Sequence, residues 1–247
     1  MTFHTKIENN IAEIIINAPP VNALNGKKMS EFSQEVTRLG NLQEVKVILI
    51  YAEGRGFCAG IDIKELGDGG IAILEGNKGA FELFEAIHHC AIPVISAIHG
   101  YALGAGAAIA GASDIVFAAE GTKLGVPEIN VGMLGGGSHM LRMLPLQKVR
   151  SMYFTGEPIL AEEAIQYGAF EKVLPMDKLV PVARAMAQKI ATKSPTALRY
   201  AKLALNGIEP VDLEKNYRFE QGFTYAISHM DEAQEARQAT LRERKDK

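Results

Sequence analysis

The sequence predicts an α/β fold with a mostly parallel sheet system. Three observations carry that reading: β-rich apolar segments alternate with segments of helical periodicity, the connections between them are short, and from about Pro175 onward the pattern turns helical. Such alternation lets crossover helices cover a sheet. At this level a flat doubly wound sheet and a coiled spiral both remain open.

The elements follow in order. Phe3 to Glu8 and Ile11 to Asn17 read as a hairpin, because Asn9-Asn10 is a turn pair between two apolar runs. Pro19-Pro20 then stops the strand. Lys28 to Leu39 places Met29, Phe32, Val36 and Leu39 at helical spacing, and Val45 to Tyr51 returns as a strand. A second cycle pairs an amphipathic segment carrying Phe81, Phe84 and Ile87 with the strand Pro93 to Ile98. The third runs through a small-residue helix at Ala105 to Ala112, the strand Asp114 to Ala119 and an extended piece near Lys123 to Val126. Three helical stretches end the chain: Leu179 to Thr192, Pro195 to Asn206, and Val211 to about Arg242. We expect a catalytic core over residues 1–194 and a helical lid or oligomerisation region over 195–247.

Composition excludes several classes of function. With 247 residues, 47% of them hydrophobic, and a formal net charge of -3 spread along the chain, the protein reads as globular and not as a nucleic-acid or membrane-surface binder. Cys58 and Cys90 are too few for a disulfide framework and lack zinc-site spacing, so reduced thiols in a cytoplasmic protein are expected, with no metal. No signal peptide or bilayer span is expected either. Met1-Thr-Phe-His-Thr-Lys lacks an apolar core, and the apolar region from Ile92 to Ala119 is broken by Pro93, His99 and Asp114.

Chemistry is signalled by two glycine-rich segments. Phe57-Cys-Ala-Gly-Ile-Asp-Ile-Lys-Glu-Leu66 and Gly100-Tyr-Ala-Leu-Gly-Ala-Gly-Ala-Ala-Ile-Ala-Gly-Ala-Ser-Asp114 each follow an apolar run and open a helix. Each can therefore aim a free backbone N–H, at Ile61 and at Ala105, towards an anion. Two donors on one oxygen would form an oxyanion hole. A third segment, Leu124 to Gly137, sets one carboxylate, Glu128, in apolar and glycine-rich surroundings that would raise its proton affinity. Each segment also has a plainer reading, as a tight turn, a small-residue packing face and a helix-start glutamate respectively. Glycine richness alone does not make a dinucleotide site, since Gly104-Ala-Gly-Ala-Ala-Ile has isoleucine where that fingerprint wants glycine or alanine.

Together the three segments resemble the crotonase, or enoyl-CoA hydratase/isomerase, family, from Pro20-Val-Asn-Ala-Leu24 through the helical tail. The resemblance implies a crotonase-like spiral of ββα units with a helical C-terminal region, a homotrimer or homohexamer, and an acyl-CoA thioester as substrate. Ile61 and Ala105 would hold the thioester oxygen as it becomes an enolate. The Ala59 carbonyl would receive the adenine amino group, and Arg55 and Lys64 would partner phosphates. Beyond the CoA of the substrate, no cofactor is implied.

One departure narrows the chemistry. Family hydratases carry a glutamate at the position matching Ala108 and another matching Glu128, and a methyl group cannot position or deprotonate water. With one glutamate, three reactions stay open: isomerisation, water activation to open a β-diketone, or hydration with another carboxylate, for which Asp62, Glu65, Asp68 and Glu75 are candidates. Asp62 reads better as a helix cap.

Glu53-Gly-Arg-Gly-Phe57, Leu134-Gly-Gly-Gly-Ser-His139 and Tyr217-Arg-Phe-Glu-Gln-Gly-Phe-Thr224 are similar to a steroid-ring-degrading branch that opens a CoA-linked bicyclic diketone. Hydrolytic ring opening is therefore the first expectation, isomerase the second and hydratase the third. A non-catalytic acyl-CoA-binding protein is the alternative from another class. His139 is weighed as a pocket residue, His88-His89 and His99 as packing histidines, and Cys58 has no histidine beside it to make a thiolate. Gly222 would need close packing or a bend to justify its place in a helix, among Tyr217, Phe219, Phe223 and Tyr225.

Overall fold

The computed structural model describes residues 2–66 and 70–243, the side chains of residues 65, 66 and 243 excepted. Strands β1 (Phe3–Glu8) and β2 (Ile11–Ile16) form the expected antiparallel hairpin, with Asn9 and Asn10 at φ 52° and 64°. Asparagine tolerates that left-handed turn because its short side chain bonds locally. Helix α1 (Gly26–Asn41) starts where Asn25 Oδ1 accepts the Lys28 N–H, and it buries Met29, Phe32, Val36 and Leu39 as their spacing dictates. Strand β3 (Val47–Ala52), helices α2 (Ile63–Leu66) and α3 (Ile71–His88), and strand β4 (Val94–Ile98) complete the second cycle.

Next come β5 (Tyr101–Leu103), α4 (Ala105–Ala112), β6 (Ile115–Ala119), β7 (Lys123–Gly125) and a 3-10 turn over Pro127–Val131. Helices α5 (Gly137–Leu141) and α6 (Leu146–Thr155), strand β8 (Ile159–Leu160), helix α7 (Ala161–Ala164) and strand β9 (Lys172–Leu174) follow. Helices α8 (Met176–Ala191), α9 (Pro195–Ile208), α10 (Leu213–Ser228) and α11 (Asp231–Glu243) close the chain. The long last stretch expected from the sequence is thus two helices, broken at His229-Met230.

The strands divide between a six-stranded sheet, ordered β1-β2-β3-β4-β6-β9, and a three-stranded sheet, ordered β5-β7-β8. Successive repeats give β4 and β6 to the larger sheet and β5 and β7 to the smaller, all pairing in parallel. This resolves the choice left open by the sequence in favour of the spiral of ββα units.

The central strands of the larger sheet, β2, β3, β4 and β6, are buried on both faces. Ala12, Ile14, Ile16, Ile48 and Ile50 pack with residues of α1, α3 and α4, while Val47, Leu49, Ile95 and Phe117 pack under α8 through Leu179, Ala183 and Ala187. Among the buried strand positions on the α8 side stands Glu13, whose carboxylate accepts from Arg184 Nη2 at 3.0 Å, Tyr51 Oη at 2.9 Å and Lys6 Nζ at 3.0 Å. No helix among the described residues is long and apolar enough to cross a membrane.

Candidate active site

The spiral lays the two glycine-rich loops side by side. Cys58 and Ala102 form a parallel bridge, reinforced by the Leu103 N–H donating to the Cys58 carbonyl at 2.9 Å. Gly60 (φ 98°) and Gly104 (φ 54°) then face each other, and a Cβ on Gly60 would lie 3.0 Å from the Leu103 carbonyl oxygen and 3.6 Å from Ala105 N. Both the backbone angles and the close approach call for glycine.

This pairing leaves two amides unspent. The Gly60 carbonyl accepts from Leu24 N–H and the Asp62 N–H donates to the Leu24 carbonyl, each at 3.0 Å, which pins the residues flanking Ile61. The Ala105 N–H opens α4, whose first donors have no intrahelical acceptor. Among the described residues neither the Ile61 nor the Ala105 N–H has a protein acceptor.

Two adjoining chambers share Ile61, Gly104, Glu128 and Met133. The outer one, about 390 Å³, is also lined by Ala59, Ile63, Pro127, Asn130 and Thr240, and its size suits a small ligand. The inner one measures about 20 Å³, room for one water, between Ala105, Ala108, Phe84, Tyr217 and the Leu134-Gly135-Gly136 wall. Glu128 is the one carboxylate among the described residues lining either chamber.

Glu128 enters from the 3-10 turn, with Pro127 at its first position. Its carbonyl accepts the Met133 N–H at 3.0 Å, and Gly132 ends the turn in the left-handed conformation. A Cβ on Gly132 would overlap Ala233 Cα, so α11 lies directly across this turn. The Glu128 residue keeps some surface, but its Oε2 is buried without a hydrogen-bond partner among the described residues. Burial pushes its carboxyl up to about 8, its own backbone hydrogen bond opposes that, and the charge of nearby Glu220 adds to the rise. Near neutrality such a group can both take and give a proton.

The other expected residues sort clearly. Ala59 lines the outer chamber, whereas Arg55 and Lys64 are exposed and line neither. Ala108 is buried at the inner chamber. Asp62 caps α2 through the Lys64 N–H at 3.1 Å, and Glu75 is exposed beside Asn25 in another small pocket, so neither stands opposite Glu128. Asp68 and the Glu65 side chain lie outside the described residues.

His139 is fully buried against the rings of Phe84 and Tyr217, with centroids 4.7 and 4.8 Å away, and lines neither chamber. Burial, with Arg142 and His88 nearby, lowers it to about 3 and keeps it neutral. The Cys58 thiol is pushed up to about 12 by burial, which rules out a thiolate nucleophile near neutral pH. His99 bonds the Gly54 carbonyl and His88 is buried at the end of α3, as packing residues do. A Cβ on Gly222 would meet nothing within 4 Å and would open onto a surface groove between α3 and α10, so close packing does not account for this glycine.

A residue the sequence reasoning missed is Glu220 on α10. It accepts from the Tyr153 hydroxyl at 2.5 Å and from the Gly137 N–H at 2.9 Å, behind the inner chamber. Its spacing from Tyr217 and Thr224 on one helix face was the available signal.

Comparisons agree with this geometry. The sequence profile described as enoyl-CoA hydratase/isomerase matches residues 6–247. A (7aS)-7a-methyl-1,5-dioxo-2,3,5,6,7,7a-hexahydro-1H-indene-carboxyl-CoA hydrolase from Rhodococcus jostii (strain RHA1) is 37% identical over 88% of this chain and 85% of its own. The hydrolase of the same name from Mycobacterium tuberculosis (strain ATCC 25618 / H37Rv) is 35% identical over 96% and 97%. In fold, a crystal structure of an enoyl-CoA hydratase from Mycobacterium avium subsp. paratuberculosis K-10 superposes with a TM-score of 0.87, at 23% identity, over 98% of this chain and 96% of that one.

Proposed function

Because the chain belongs to the enoyl-CoA hydratase/isomerase family, we propose that it opens a ring hydrolytically in a cyclic β-diketone CoA ester. One observation carries this reading: among the described residues a single carboxylate, Glu128, shares a chamber with two unspent amides while Ala108 puts a methyl group where a hydratase needs its second acid.

The chemistry follows from those groups. Ionised Glu128 takes a proton from water as the water oxygen bonds to a ring ketone carbon standing β to the thioester carbonyl, the two forming the 1,3-dicarbonyl that is cleaved. The bond from that carbon to the α-carbon then breaks, and its electron pair moves into the thioester as an enolate. Ile61 and Ala105 N–H groups stabilise the enolate oxygen, each donor worth roughly 3 kcal/mol in the transition state. Glu128 returns its proton to the α-carbon, leaving a new carboxylic acid and an intact thioester. These steps use protein groups, water and the CoA ester alone. The outer chamber, which also reaches Ile61, Gly104 and Glu128, takes the bicyclic acyl group, and the inner one has room for the water.

In this reading Ala59 receives the adenine, Arg55 and Lys64 meet phosphates outside the chambers, and residues 195–247 form the lid and assembly region. Exposed Tyr200, Leu203 and Ile208 on α9 and Phe219 on α10 present an apolar surface suited to burial in a homotrimer or homohexamer. A cytoplasmic setting fits two buried free thiols.

The test supplies a cyclic β-diketone CoA ester in water enriched in heavy oxygen. One labelled oxygen in a new carboxylate is expected. A shifted double bond without water uptake would mean isomerisation, and water added without ring opening would mean hydration. Binding without product across an acyl-CoA panel would reduce the protein to an acyl-CoA binder.

A further inference from the structure

Helix α10 grips the wall of the inner chamber at several points. The Thr224 hydroxyl donates to the Leu134 carbonyl at 2.5 Å, and Glu220 Oε1 accepts the Gly137 N–H at 2.9 Å. The same Oε1 accepts the Tyr153 hydroxyl at 2.5 Å, Tyr153 Oη accepts the Gly135 N–H at 3.2 Å, and Ser138 Oγ donates to Glu220 Oε2 at 3.5 Å. All but the bond between Tyr153 and Glu220 fall on the 134–138 turn, whose Leu134, Gly135 and Gly136 wall the chamber. That turn touches the reacting group: a Cβ on Gly135 would lie 3.7 Å from Glu128 Oε1 and 3.9 Å from its carboxyl carbon.

We infer that Glu220 is a positioning residue: with Tyr153 it holds the 134–138 turn against Glu128, so that helix α10 sets where the reacting carboxylate lies. The inference rests on Glu128 being the acid/base of the proposed reaction. Glutamine at 220 keeps an acceptor oxygen and removes the charge, which burial disfavours and the donors Tyr153, Gly137 and Ser138 favour. An ionised Glu220 repels an ionised Glu128 and favours its protonated form, the form that must deliver a proton to carbon.

Of the polar groups facing the pair, Asn77 of α3 shares the inner chamber with Glu128, and Asn130 of the 3-10 turn and Thr240 of α11 share the outer one. The 3-10 turn contributes Glu128, α6 contributes Tyr153, and α10 contributes Tyr217 and Glu220 itself. Helix α5 contributes the Ser138 hydroxyl and the Gly137 N–H, with neutral His139 turned to Phe84 and Tyr217. No described cation forms an ion pair with either carboxylate.

Three variants of the full chain test this: Glu220→Ala, Glu220→Gln and Tyr153→Phe. Amide hydrogen exchange across residues 134–138 needs no substrate, and kcat, KM and the pH profile are read with the thioester. Glu220→Ala and Tyr153→Phe should speed exchange in the turn and lower kcat by about tenfold to a hundredfold, with KM little changed. Glu220→Gln should keep kcat near its optimum but move the ascending limb of the pH profile to lower pH. Parent-like exchange and parent-like kcat in folded Glu220→Ala overturn the inference. If that variant does not fold, the same result in Tyr153→Phe, which loses one hydroxyl, overturns it. Failure of the parent enzyme to open any cyclic diketone CoA ester sinks the proposed reaction instead, and the exchange measurement still decides whether Glu220 holds the turn.

Discussion

Glu128 and Gly104 compete for one volume: Glu128 Oε1 lies 2.5 Å from the point where a Cβ on residue 104 would sit. Gly104 also holds φ 54°, which a side chain resists. Gly104→Ala should therefore displace the carboxylate and lower kcat by about a hundredfold or more. Steady-state kinetics beside a circular dichroism spectrum would check it; a fully active, folded Gly104→Ala would show that the carboxylate's position is not critical.

Ala105 can lose its donor without losing its helix. Proline is tolerated at the first position of a helix, where the missing N–H has no intrahelical partner. Ala105→Pro should leave the fold intact and cost roughly 3 kcal/mol of transition-state stabilisation, seen as a fall of about a hundredfold in kcat/KM. Unchanged kcat/KM would remove that N–H from the oxyanion hole.

Proton affinity makes Glu128 a liability for stability. The unfolded chain ionises it near 4.5 and the folded chain near 8, so in that window the folded state holds a proton that the unfolded state has shed. Stability contributed by this group therefore falls as pH rises from 4.5 to 8. Glu128→Gln should match the parent in unfolding free energy, read from denaturant melts, near the low end and exceed it towards the high end, by on the order of 2 kcal/mol. Turnover should drop about 10²- to 10⁴-fold. In the parent, kcat/KM should climb with pH towards a plateau above about 8.

Glu13 behaves in the opposite sense. Burial would push its carboxyl up, but the hydrogen bonds from Arg184, Lys6 and Tyr51 outweigh that and hold it down at about 2. The stability it contributes is full above the ordinary 4.5 and is lost as pH falls from there towards 2. Glu13→Gln should cost roughly 2 kcal/mol at neutral pH. Denaturant melts at about pH 7 and about pH 3 should show the difference between variant and parent shrinking in acid.

Much of this was legible in the chain because local rules sufficed. Asn9-Asn10 announced the hairpin, the spacing of Met29, Phe32, Val36 and Leu39 announced α1, and the run of small residues from Ala105 announced α4. The Ile61 and Ala105 amides were readable because glycine reports backbone geometry directly. Glu220 was not, because its role depends on Tyr153 and Gly137, which only the tertiary fold brings to α10. The break at His229-Met230 carries neither proline nor glycine to mark it. Arg55 and Lys64 were readable only as charges, since no spacing encodes that they stand outside both chambers.

Helix α11 covers the turn that carries Glu128, and Thr240 forms part of the outer chamber. Yet Ala233 is its one buried apolar side chain among the described residues. Its other anchor is Arg237, fully buried, whose Nη2 donates to the Ser228 carbonyl at 3.0 Å. Docking held by one small apolar side chain and one buried guanidinium should open at a lower free energy than the central strands of the larger sheet. Warming will thus silence the protein before it melts it: the thermal ceiling of turnover belongs to a surface helix, and spectroscopic melting of the sheet will overstate the working range.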